Sequence, residues 1–145
     1  MMSIETKKEI YIKCIKSINN SSDENILKII SYILFNSFEN WIFCGFYFKK
    51  DNQLKVDEYE SLKIPCSPIS LKGVCGTAIL KNEIVNLPDV KEFSDHIVCD
   101  SNSKSELCIP FFLNSTNYVL DIDSNKLNDF DDIDIKFLTR IIKNI

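Results

Sequence analysis

Long apolar runs are missing from this sequence. Its most apolar stretches, Ile26–Phe38 and Ile109–Leu113, are broken by polar residues or fall far short of the ~20 residues that a bilayer-spanning helix requires. No membrane partner is expected. A basic excess is missing as well: 17 Lys and Arg against 21 Asp and Glu leave a net charge of −4. That balance disfavours a polyanionic partner, so nucleic acid is not expected either. Met1–Glu9 carries mixed charge without an apolar stretch ending in small residues. It does not read as a secretory signal, and the expected compartment is the cytosol. Histidine is reduced to His96, and glycine to Gly45, Gly73 and Gly76. The six cysteines, Cys14, Cys44, Cys66, Cys75, Cys99 and Cys108, are never closer than nine residues. Zinc sites usually draw on close ligand pairs, so no bound metal or other resident cofactor is expected. In a reducing compartment these cysteines read as redox-active or buried thiols rather than structural disulfides.

What is present is the composition of one folded domain. With 145 residues, 45% apolar and 26% charged, the chain fits a single unit spanning 1–145. Its first third, 1–38, reads as helical. Tyr11, Cys14, Ile15 and Ile18 recur at helical spacing, and Ser21 with Glu24 suggests a capping box opening a second helix. Ile26, Leu27, Ile30, Ile33, Leu34 and Phe38 form a stripe on that helix, suited to a sheet or a partner subunit. Between 41 and 124 the texture changes to aromatic and β-branched runs: 42–48, 54–59, 62–66, 84–87, 107–113 and 118–122. Asp51-Asn52 predicts a hairpin between the first two. The segment 130–145 returns to helix, with acids in its first turns and Lys143 near its end, matching the helix dipole. The expected class is α+β, one antiparallel sheet with the terminal helices packed on it.

Three segments carry candidate chemistry. In Gly73-Val74-Cys75-Gly76-Thr77-Ala78, two of the three glycines flank a cysteine before a short helix through Lys81. Glycine suits a tight turn or a close approach there, and a helix N-terminus favours thiolate over thiol at Cys75. A buried small residue is an equal reading of that cysteine. In Asp95-His96-Ile97-Val98-Cys99-Asp100 the single histidine stands near another cysteine. A nearby cation would lower the Cys99 pKa while the two aspartates would raise it, and an ordinary surface loop fits these residues better. In Leu120-Asp121-Ile122-Asp123 two carboxyls two residues apart on a strand share a face. Such a pair can hold a proton between its members or bind an ammonium group.

Taken together with Lys104-Ser105-Glu106 and Lys63-Ile64-Pro65-Cys66, these segments make the chain resemble the free methionine-(R)-sulfoxide reductases, a GAF-like family. The resemblance runs from about Trp41 to the C-terminus. It implies a GAF fold and reduction of free methionine sulfoxide, R epimer preferred, with thioredoxin or another dithiol as electron donor. It implies further that Cys99 is the nucleophile and Cys66 the resolving thiol, with Cys75 an alternative for either role. Glu106, Asp121 and Asp123 would hold the substrate ammonium or the sulfoxide oxygen, at least one of them protonated. Trp41 and Tyr47 would wall the methyl-sulfur end. The family's tryptophan precedes its tyrosine by four residues; Phe43 stands at that spacing here, and Trp41 is six residues from Tyr47. Cys14, Cys44 and Cys108 read as core. A second reading is a non-catalytic GAF module that binds a small ligand or acts as a sensor. A third is a structural domain whose helical stripes support a homodimer.

Overall fold

A computed structural model describes residues 2–94 and 100–145. Helices α1 (Ile4–Asn19) and α2 (Ile26–Ser37) lead into strands β1 (Trp41–Lys50), β2 (Gln53–Ser61) and β3 (Ile69–Ser70). Helix α3 (Val74–Lys81), β4 (Val85–Leu87), a 3-10 turn (Val90–Glu92), β5 (Ser105–Leu113), β6 (Thr116–Ser124) and α4 (Asp132–Lys143) complete the described elements. The strands form one sheet in the order β3-β2-β1-β6-β5-β4, and its neighbouring pairs are antiparallel. The α+β expectation therefore holds.

Turn chemistry sets the two long hairpins. Asp51 and Asn52 both take positive φ, 53° and 61°, and join Lys50 to its partner Gln53. Asn114 and Ser115 do the same at 51° and 61° between Leu113 and Thr116. Two consecutive left-handed residues give the backbone twist that flanking strands require. The hairpin expected at Asp51-Asn52 is present, whereas the strand expected over 62–66 is not. Leu62 and Ile64 face solvent, 70% and 91% exposed, and the edge strand forms later, where Ile69 pairs with Leu54. The Ser21–Glu24 capping box also fails to form. Ser21 Oγ accepts a hydrogen bond from the Asp23 amide instead, and Asn25 caps α2 by accepting from the Lys28 amide.

Alternation along the strands divides the interior in two. One face, with Phe46, Leu107, Ile109, Leu120 and Ile122, packs beneath α1, α2 and α4 through Tyr11, Ile30, Leu34, Phe137 and Leu138. The other, with Phe43, Tyr47, Leu54, Cys108 and Val119, packs beneath α3 through Val74, Cys75, Ala78 and Ile79. Helices α1 and α4 are locked by the buried Asp134, which accepts from Lys7 Nζ at 2.6 Å and Tyr11 Oη at 2.5 Å. The same carboxylate closes a capping box with Asp131. Burial raises the Asp134 pKa, against the pull of Lys7 and Tyr11.

Candidate active site

The α3 face of the sheet gathers the chemistry. Glu106 and Cys108 are two apart on β5, so both side chains project to this face. Cys108 stands directly opposite Asp121 on β6, and Glu106 opposite Asp123. Three acids and a thiol that are spread through the sequence thus become neighbours on two paired strands.

The first turn of α3 adds Cys75. Its position depends on Gly76, where a Cβ would lie 2.0 Å from the Leu71 carbonyl oxygen, so α3 presses on the preceding loop as no larger residue allows. Gly76 serves this close approach, and neither flanking glycine makes a left-handed turn: Gly73, the N-cap, is extended with φ −77°. Cys75 Sγ then lies 2.9 Å from Cys108 Sγ and 3.8 Å from Glu106 Oε2. Cys108 Sγ is 3.6 Å from Glu106 Oε2 and 3.4 Å from Asp121 Oδ1. Cys108, expected as core, is fully buried as expected, yet it is a member of this polar cluster.

Burial dominates the electrostatics. It pushes Glu106 up to about 8, with the Asp123 charge adding to the shift. Asp121 is raised well above the usual carboxylate range by burial and then by Glu106. A hydrogen bond between these two carboxyls raises Asp121 and lowers Glu106, so Asp121 is the more tightly protonated of the two. Asp123, only partly buried by surface area, is also raised, first by desolvation and then by Asp121; Ser103 Oγ donates to it at 3.2 Å. Near neutral pH this corner of the sheet is therefore a store of protons. The thiolate expected at Cys75 from the helix end loses to the same effect, because desolvation pushes the thiol up and the three acids add to it.

Aromatic residues are placed unequally. Tyr47 lies on the site face, 5.9 Å from Phe43 between ring centroids, and its hydroxyl donates to the Cys66 carbonyl at 2.8 Å. Trp41 does not join them. A register irregularity between Trp41 and Phe43 reverses the alternation, so the indole packs on the helical face, stacked 4.2 Å from Phe38. On the site face the neighbouring rings are Phe43 and Tyr47, and the spacing of Phe43 from Tyr47 is the sequence signal for that pair.

Cys66 is half-buried on the loop between β2 and β3. On the same loop Lys63 Nζ pairs with Asp100 Oδ1 at 3.6 Å. Cys99, like His96, falls within residues 95–99, outside the described residues. Among those described, Cys14, Cys44, Cys75 and Cys108 are free thiols. Cys14 and Cys44 belong to the helical-face core, as expected.

The solved structure of the Staphylococcus aureus enzyme fRMsr in its reduced form shares this architecture. Its TM-score is 0.81 at 32% identity, over 99% of this chain and 96% of that one. This chain belongs to the free methionine-R-sulfoxide reductase family. Members of that family are oxidoreductases on a GAF fold, and the sequence comparisons agree. Free methionine-R-sulfoxide reductase of Escherichia coli is 37% identical over 108 residues, 73% of this chain and 64% of that enzyme, which is under two thirds of its length. GAF domain-containing protein A of Dictyostelium discoideum is 42% identical over 107 residues, 72% of this chain and 67% of that protein. No family model matches the sequence. Among the described residues no helix is long and apolar enough to cross a membrane.

Proposed function

We propose that this chain reduces free L-methionine-(R)-sulfoxide to methionine. The observation that carries the reading is the carboxyl set of buried Glu106 and Asp121 with half-buried Asp123, whose pKa values desolvation raises. A sulfoxide oxygen leaves the substrate sulfur only after gaining a proton, and a buried protonated acid is the donor such a step needs. The neighbouring carboxylate in the same set can hold the substrate ammonium.

In the proposed sequence, the Cys99 thiolate attacks the sulfoxide sulfur while the acid set protonates the oxygen. The resulting hydroxyl passes from the substrate sulfur to Cys99 Sγ as the bond between the two sulfurs breaks, so methionine leaves and Cys99 is left as a sulfenic acid that keeps the oxygen. Cys66 attacks that sulfur, water departs, and a disulfide forms. An external dithiol, thioredoxin in the cytosol, then restores both thiols by exchange. The balance is one sulfoxide and two thiols to one sulfide, one disulfide and one water. Two contacts support this pairing: Lys63, three residues before Cys66, meets Asp100, the residue after Cys99, and Tyr47 on the site face holds the Cys66 carbonyl.

The test is turnover of the reduced protein with free L-methionine-(R)-sulfoxide and a dithiol. It is run beside the S epimer, a peptide containing methionine sulfoxide, and a Cys99→Ser variant. Methionine is expected from the free R epimer alone, with turnover lost in the variant. Turnover surviving in Cys99→Ser transfers the nucleophile to Cys75. No turnover by folded, fully reduced protein overturns the reading in favour of a ligand-binding module.

A further inference from the structure

We propose that Cys75, Cys108, Glu106 and Asp121 form a binding site for one thiophilic divalent cation of the zinc class. Each residue offers one ligand atom, and the four atoms lie within 4.8 Å of one another. All four residues are buried, with at most 6% of any of them exposed. Tetrahedral zinc has Zn–S bonds near 2.3 Å and Zn–O bonds near 2.0–2.2 Å, so its sulfur–oxygen edges run to about 3.5 Å. Three of the four sulfur–oxygen separations in the cluster are 3.4, 3.6 and 3.8 Å, and the fourth, Cys75 to Asp121, lies within 4.8 Å. The sulfur–sulfur edge of such a tetrahedron is about 3.8 Å. The present separation of 2.9 Å must widen to it on binding.

The donor set selects the ion. Two sulfurs prefer zinc or cadmium over magnesium and calcium, which take all-oxygen shells. Burial suits a dication too, since it neutralises anions that the low dielectric disfavours; the thiol protons leave as it binds. Ligand spacing conceals the site in the sequence. Cys75 and Cys108 are 33 residues apart, and the sheet register supplies the other two ligands: Asp121 faces Cys108 across the ladder, and Glu106 is its neighbour on the same face. The ion occupies the carboxyls assigned above to substrate, so it excludes methionine sulfoxide. That exclusion rests on the proposed function; metal binding does not.

Titration of the reduced, chelator-stripped protein with cobalt(II) tests the site. One equivalent is expected to give a thiolate-to-cobalt charge-transfer band with tetrahedral d–d absorption, displaced by one equivalent of zinc. Cys108→Val and, independently, Asp121→Asn are expected to weaken binding by more than the ~10–100-fold that loss of an outer-shell partner costs. A Cys66→Ser/Cys99→Ser variant is expected to keep the band. Circular dichroism establishes that each variant is folded. Absence of the band, its persistence at full affinity in Cys108→Val, or its loss in the double variant overturns the proposal. Turnover enters none of these readouts, so failure of the reductase reading and failure of the metal site are separately visible.

Discussion

Glu106 stores a proton where an ordinary glutamate would have none. In the unfolded chain its carboxyl ionises near 4.5, and in the folded chain burial pushes it up to about 8. Between those values the folded state retains a proton that the unfolded state gives up. The stability this group contributes is full below pH 4.5 and is lost as pH rises toward 8, at about 1.4 kcal/mol per pH unit. Asp121 and Asp123, shifted in the same direction, act with the same sign. The melting temperature is therefore expected to fall between pH 5 and pH 8, and thermal scans of Glu106→Gln should show a shallower fall. On the proposed reaction the pH profile of kcat/KM has a descending limb near pH 8 that Glu106→Gln lacks, together with a loss of about 100-fold or more in rate. A profile flat through pH 9 in the parent protein assigns the proton to another acid. At this scale the sequence shows which residues carry chemistry but not their charge state. The Asp121-Ile122-Asp123 spacing reveals the shared face, whereas the raised pKa values come from the burial that α3 and the opposing strand impose. Cys108 is unreadable for the same reason, since an apolar strand looks alike whether its small residue meets leucine or glutamate.

Elements are positioned by contacts that a single atom would disturb. At Gly76 an added methyl would meet the Leu71 carbonyl at 2.0 Å, and at Gly45 it would meet Tyr59 Cβ at 2.4 Å. Neither neighbour is the free end of a flexible side chain. Gly76→Ala is expected to destabilise the fold by about 2–4 kcal/mol. It should also displace Cys75, read as loss of protection of that thiol from alkylating reagent in the native state; unchanged melting and labelling would show that the loop yields. The helices, the Asp51-Asn52 hairpin turn and most strands are legible from periodicity and turn residues. Departures occur where local chemistry competes: Ser21 spends its hydroxyl in a short turn, and Leu62 and Ile64 of the 62–66 run face solvent. The irregularity that sends Trp41 to the helical face is a register effect between strands, which no local pattern announces.

At the scale of the whole molecule, the first and last helices are tied through one buried ion pair. Lys7, Tyr11 and Asp134 close the chain's ends against each other over more than a hundred residues of sequence. Removing Asp134 leaves Lys7 with only the half-exposed Asp131 carboxylate at 3.4 Å and the Asp129 carbonyl at 3.2 Å, so Asp134→Ala is expected to cost about 3 kcal/mol in urea unfolding, the low end for a broken buried pair. Replacing both charges, Lys7→Met with Asp134→Leu, should recover most of that loss. A loss under 1 kcal/mol in the single variant would show that Lys7 finds solvent instead. In the sequence the acids of α4 read as partners of the helix dipole; the distant lysine that buries one of them becomes visible only when the ends meet.

The alternation of β5 and β6 has an evolutionary consequence. Glu106, Cys108 and Asp121 point one way while Leu107, Ile109, Leu120 and Ile122 point the other, so reactive cluster and oily interior are interleaved on the same two strands. An insertion or deletion of one residue within either strand would carry carboxyls into the hydrocarbon layer and leucines into the reactive cluster in a single event. Lineages of this chain should tolerate length changes there in twos, or in the Asn114-Ser115 turn, and almost never in ones.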